Sequence, residues 1–138
     1  HQAQLRANPS DIPQAIDELM RAYGAVTTFR TCTKETTVRG VRFMPGDKVA
    51  MSTTLAGRDP AEFEDPQQVR FDRKPRHVGF GHGIHICLGI HLARRELRIA
   101  MEEFLKRVGP FELKPGHRVR HHLGMIQPVE LPLVWNAG

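Results

Sequence analysis

Long hydrophobic runs are missing from this sequence: no stretch approaches the roughly 18 apolar residues that a membrane-spanning helix needs. The opening HQAQLRANPS has neither a charged-then-apolar leader pattern nor an initiator Met. The expectation is a soluble polypeptide with no membrane partner that begins part-way through a longer protein. Cysteine is scarce, with Cys32 and Cys87 alone, which excludes a disulfide scaffold and suits reduced thiols in a cytoplasmic compartment. Aromatic residues amount to 7% and are not interleaved with the basic ones. No paired-Cys, paired-His finger occurs either, so nucleic acid is not an expected partner. Repeats and flexible linkers are lacking too. What is left, 138 residues with 40% hydrophobic and 25% charged, is ordinary globular composition for one domain.

Charge is unevenly placed. Residues 1–69 hold 8 Lys/Arg against 9 Asp/Glu, whereas residues 70–138 hold 12 against 6 and seven of the eight histidines. An anionic partner is expected at the second half.

Ser10 or Asp11 can cap a helix that Pro13 helps to start, with Gln14 as a capping-box partner. Ile12, Ala15, Ile16, Leu19, Met20 and Tyr23 recur at helical spacing up to a stop at Gly24. Glu18 and Arg21 are neighbours on that helix, and spacing alone reads them as an exposed pair. From Val26 to Val49 the β-branched density and the turn residues Gly40 and Pro45-Gly46-Asp47 predict short strands. Residues 50–79, rich in Pro, Asp and Arg, read as an irregular meander with one short helix. A second helix is predicted from Cys87 or Leu88 to Gly109-Pro110, with Leu88, Leu92, Leu97, Ala100, Met101, Phe104, Leu105 and Val108 as its apolar stripe. Strands and turns follow. The fold class is mainly α with a small β portion.

Ahead of the second helix lies FGHGIHICLG, from Phe80 to Gly89. Its glycines permit backbone conformations closed to other residues and let a flat ligand approach the main chain. A cysteine delivered to a helix N-terminus sits where free N–H groups favour the thiolate. On the residues alone three readings of Cys87 compete: a small core residue, a zinc ligand together with His82, His85 and His91, or an axial ligand of heme iron. Zinc normally draws ligand pairs from separated segments, and this glycine spacing exceeds what zinc needs.

The string FGHGIHICLG resembles the heme loop of the cytochrome P-450 heme-thiolate monooxygenases, Phe-Gly-x-Gly-x-His/Arg-x-Cys-x-Gly, at every fixed position. Glu18-x-x-Arg21 is similar to the family's Glu-x-x-Arg helix, and Arg73 to the Arg that joins it in a buried triad. Arg58-Asp59-Pro60, Phe63 and Asp65-Pro66 follow the family order. Across the heme loop and His91 to Glu96 the wording is especially similar to the bacterial camphor-hydroxylase branch.

The resemblance implies heme b, bound axially by the Cys87 thiolate, which pushes electron density onto the iron to favour O–O cleavage. Phe80 would pack beside the sulfur, while Gly81, Gly83 and Gly89 would let the loop lie close to the porphyrin. His85 and Arg30 would meet the propionates. Val26, Thr27 and Thr28, with Met125 and Ile126, would face a small hydrophobic, terpenoid-like substrate. Glu18, Arg21 and Arg73 would be architectural. Arg73, Lys74, Arg76 and His77 would offer a basic face to an iron–sulfur ferredoxin. The resemblance also implies that residues 1–138 are the C-terminal, heme-binding portion of a larger all-α domain whose distal helices, with their acid-Thr pair, are absent. Such a piece is expected to have little monooxygenase activity of its own. The alternative is a non-catalytic heme or zinc module that self-associates through an exposed apolar face.

Overall fold

The structure, a computed structural model, describes residues 1–122 and 127–135, so Met125 and Ile126 lie outside the described residues. Helix α1 (Gln2–Ala7) opens the chain, an element that apolar spacing does not announce. A 3₁₀ turn over Pro9–Asp11 runs straight into α2 (Ile12–Tyr23). The expected capping box does not form. Asp11 already has helical backbone, φ −82° and ψ −10°, and its side chain caps nothing; the Gln14 amide instead donates to the Phe71 carbonyl. The helix stops at Gly24, where a Cβ would lie 2.8 Å from the Met20 carbonyl oxygen.

Helix α2 carries the core. Ile12, Ala15 and Ile16 pack with Leu5, Phe71 and Leu105, flanked by Leu19, Met20, Met101 and Phe111. Tyr23 departs from the expected apolar face: it is exposed, with the Arg58 guanidinium 5.3 Å above its ring.

Strands β1 (Thr27–Thr31) and β4 (Lys48–Ser52) pair antiparallel, with Thr28 opposite Met51 and Arg30 opposite Val49. Between them β2 (Thr36–Val38) and β3 (Val41–Phe43) make a hairpin. Its turn residues, Arg39 and Gly40, have φ of 47° and 81°, the primed geometry that matches strand twist. The short helix α3 (Thr53–Ala56) is capped by Ser52, whose Oγ accepts the Leu55 N–H at 3.3 Å. The meander then leads through a 3₁₀ turn at Gly83–His85 to α4 (Ile90–Arg107), and β5 (Phe111–Leu113) pairs antiparallel with β6 (Leu133–Trp135).

Two residues of α1 tie the chain's ends together. The Gln2 side-chain amide exchanges two hydrogen bonds with the Phe111 backbone, at 2.7 and 3.2 Å. Arg6 donates to the carbonyls of Leu105, Val108 and Gly109, a cation where the exposed carbonyls of α4 favour one. Of the predicted α4 stripe only Leu105 is buried; Leu88 and Leu92 are exposed. Among the described residues no helix is long and apolar enough to cross a membrane.

Candidate functional site

Cys87 lies three residues ahead of α4, not in its first turn as the sequence suggests; Gly89 is the N-cap. Backbone hydrogen bonds fix it there. Its N–H donates to the Phe80 carbonyl at 2.8 Å, and its own carbonyl accepts the Ile90 N–H at 3.2 Å. Gly81 and Gly83 take φ of 77° and 68°, the left-handed region that costs a side-chain-bearing residue most. At Gly81 a Cβ would also press on the His85 carbonyl oxygen at 3.1 Å. The thiol is exposed, and Ile84, Ile86 and Leu88 beside it stand open to solvent, Ile84 and Leu88 almost completely. Apolar side chains displayed in this way call for a cover.

Beside the loop is a cavity of about 430 Å³, lined by Thr28, Arg30, Met51, Ser52, Thr53, Ala56, Val78, Gly81, His82 and His85. Residues two apart on a strand share a face, which puts Thr28 and Arg30 here together. Thr27 and Val26 do not line it; the Val26 carbonyl instead holds the N–H and hydroxyl of Thr53, at 3.0 and 2.8 Å. Among the described residues the Arg30 side chain donates only to its neighbour's carbonyl, that of Phe29, at 2.8 Å. The lining, among the described residues, contains one guanidinium, two imidazoles and no carboxylate. An exposed thiol, an apolar collar and a cavity that holds a guanidinium and, among the described residues, no acid fit a flat, mostly apolar cofactor with carboxylate groups. They do not fit zinc: among the described residues no three His, Cys, Asp or Glu side chains converge on a metal position, so His82, His85, Cys87 and His91 are not a ligand set.

Behind the loop, Glu18 and Arg21 are both fully buried, not the exposed pair that their spacing suggests. Arg21 Nε and Nη2 each donate to a Glu18 carboxylate oxygen at 2.8 Å. Its guanidinium also reaches the carbonyls of Gly57, Pro66 and Gln68 at 2.6, 2.9 and 2.9 Å. Glu18 Oε1 accepts the Arg70 N–H at 3.0 Å and Arg73 Nε at 3.3 Å. Burial pushes the Glu18 carboxyl up, but the hydrogen bonds from Arg21 and Arg70 and the charges of Arg21 and Arg73 outweigh it and hold it below its ordinary value.

The basic face is smaller than expected. Lys74 and Arg76 are exposed, whereas Arg73 turns in to Glu18 and the His77 side chain, 3% exposed, turns in to Asp17 at 3.5 Å. Sequence reasoning also misses Arg94, whose Nε and Nη2 donate to Asp17 Oδ1 at 3.0 and 2.9 Å. These residues are 60 to 77 positions apart, so no spacing signal connects them.

A glycine-shaped thiol loop thus stands beside a cavity lined by a guanidinium. The chain belongs to the cytochrome P-450 family, whose model matches residues 12–132. It is 43% identical over 139 residues to the mycinamicin IV hydroxylase/epoxidase of Micromonospora griseorubida, covering 96% of this chain and 35% of that protein. It is 40% identical over 116 residues to cytochrome P-450-terp of a Pseudomonas species, covering 83% and 27% respectively. Among solved structures, cytochrome P-450 CYP101C1 superposes with a TM-score of 0.91 at 39% identity, over 99% of this chain and 36% of that one. The chain thus spans about a third of the length of these relatives. Similar identities to differently named relatives establish the family without singling out the camphor-hydroxylase branch.

Proposed function

We propose that residues 1–138 form the heme-binding portion of a larger single domain, that of a heme-thiolate monooxygenase which hydroxylates a small hydrophobic, terpenoid-like substrate with O₂. The observation that carries this reading is the exposed Cys87 thiol on its glycine loop, next to a cavity whose only charged or titratable linings among the described residues are Arg30, His82 and His85. Cys87 would hold the heme iron through its thiolate sulfur. Arg30 and His85 take the carboxylates of heme b by charge-assisted hydrogen bonds. Gly81, Gly83 and Gly89 keep side chains out of the approach, and Phe80 packs behind the sulfur. When bound, heme supplies the one-electron and oxygen chemistry that no side chain of the chain can perform.

Thr28 faces the substrate from the cavity wall, with Thr27 at the start of the same strand, Val26 just before it, and Met125 and Ile126 assigned by family pattern. Glu18, Arg21 and Arg73 hold the scaffold and touch no substrate. Electrons come from an iron–sulfur ferredoxin drawn to the exposed Lys74 and Arg76. A cytoplasmic setting suits a thiol that must stay reduced. Positioning and water exclusion over the other heme face need more than this chain provides, so the 138 residues alone turn over little or no substrate.

The test is the visible spectrum of the heme-loaded chain after reduction and carbon monoxide addition, beside Cys87→Ser. A red-shifted Soret band that the substitution abolishes is the expected result. Heme bound without that band overturns thiolate ligation. A second reading, a non-catalytic heme module that self-associates, draws on the exposed Ile84, Leu88 and Leu92. Turnover by the whole protein with a supplied ferredoxin decides against it.

A further inference from the structure

We propose that Asp17, His77 and Arg94 are positioning residues for Cys87, acting through Phe80; the inference rests on the reading of Cys87 as the heme ligand. A single carboxylate oxygen gathers the cluster. Asp17 Oδ1 accepts Arg94 Nε at 3.0 Å and Nη2 at 2.9 Å, and lies 3.5 Å from His77 Nε2. The Gly79 N–H donates to His77 Nδ1 at 3.0 Å, which requires a lone pair there and leaves the ring proton on Nε2, facing Asp17. The chain passes so tightly that a Cβ on Gly79 would stand 2.9 Å from His77 Nδ1 and 3.2 Å from the Met20 carbonyl oxygen.

The Phe80 ring lies near both the Arg94 and the His77 side chains. The Arg94 guanidinium carbon is 5.4 Å from its ring centroid and the His77 ring 6.0 Å, within reach of a cation–π contact from Arg94. The Phe80 carbonyl in turn receives the Cys87 N–H at 2.8 Å. His77 enters the loop and Arg94 leaves it, so one oxygen on the buried helix α2 fixes the span across which the thiol is presented. A metal ligand is placed by the groups behind it as much as by its own backbone.

The experiment uses the 138-residue chain as Asp17→Ala, Arg94→Ala and Arg94→Lys, with Arg98→Ala as control; Arg98 lies one turn further along α4 and pairs with Glu102. Amide hydrogen exchange is read at Cys87 and at Leu105 in the core, without heme. Asp17→Ala and Arg94→Ala are expected to speed exchange at Cys87 about tenfold, the factor for losing one charge-assisted hydrogen bond. Leu105 and the Arg98→Ala chain stay unchanged, and Arg94→Lys recovers most of the protection. With heme and carbon monoxide, the two alanine variants are expected to show a reduced share of the red-shifted band. Exchange at Cys87 within twofold of the parent overturns the proposal, and so does equal acceleration at Leu105, which assigns the cluster to general stability. If the parent itself lacks the red-shifted band with heme bound, the heme-thiolate reading fails, while the exchange data still decide whether the cluster places Cys87.

Discussion

Helices α2 and α4 both carry an apolar stripe at helical spacing, yet only α2 buries it. Six of its twelve residues are buried, including a carboxylate and a guanidinium, while α4 buries Leu105 alone among eighteen. The partners of α2 come from the meander, from α1 and from α4, and they satisfy its charged groups one by one. The loop before α4 shows the opposite: exposed Ile84 and Leu88 flank an exposed thiol. Polar burial marks the part of this chain that supports itself, and apolar exposure marks the part built to meet something else.

The largest effect that would break this contrast is at Glu18. Glu18→Ala leaves Arg21 buried and unpaired, an expected loss of about 3–5 kcal/mol that would unfold a chain of this size in denaturant titration. Replacement by Gln keeps the shape and exposes the pH dependence. Because the folded carboxyl titrates below its ordinary value of 4.5, its contribution is complete above that pH and is lost as pH falls further. The gap in stability between the parent and Glu18→Gln should therefore be constant at neutral pH and close in acid. A gap that widens in acid would reverse the assignment.

Gly57 comes next. A Cβ there would stand 2.0 Å from the Arg21 carbonyl oxygen, backbone against backbone, so Gly57→Ala should cost about 1–3 kcal/mol in thermal or denaturant unfolding. The smallest change in stability is expected where exposure is greatest: Leu88→Ser should move it by less than about 0.5 kcal/mol. Heme retention on gel filtration should nonetheless fall. A Leu88→Ser chain that unfolds easily would mean that the collar supports the fold after all.

Much of the scaffold is legible in the sequence because its signals are local. Pro13, the Ile12-Ala15-Ile16-Leu19 spacing and Gly24 delimit α2, and the β-branched residues around Gly40 mark the hairpin. The glycines on either side of His82, with Cys87, point to the loop by motif. What the sequence conceals is set over long separations. Helix α1 spans less than two turns and is held by Gln2 and Arg6 reaching Phe111 and Leu105, some hundred residues away. Glu18 and Arg21 have the same spacing as any surface pair, so spacing hides a burial that the family resemblance implies, and the carbonyls of residues 57–68 that hold it are distant in sequence. Cys87 misses the first turn of α4 because Gly89 takes the N-cap. Asp17, His77 and Arg94 each look like a solvated surface residue until the fold brings them together.

The Arg21 guanidinium has one more consequence, for the order in which the molecule assembles. It gathers carbonyls from Gly57, Pro66 and Gln68 while its partner Glu18 holds Arg70 and Arg73. Closing a loop of some fifty residues costs chain entropy that grows only slowly with length, so a single buried clasp can hold the whole meander. The Cys87 cradle, which follows the meander in the chain, is therefore expected to gain its amide protection late in refolding, after the segment that Arg21 and Glu18 gather.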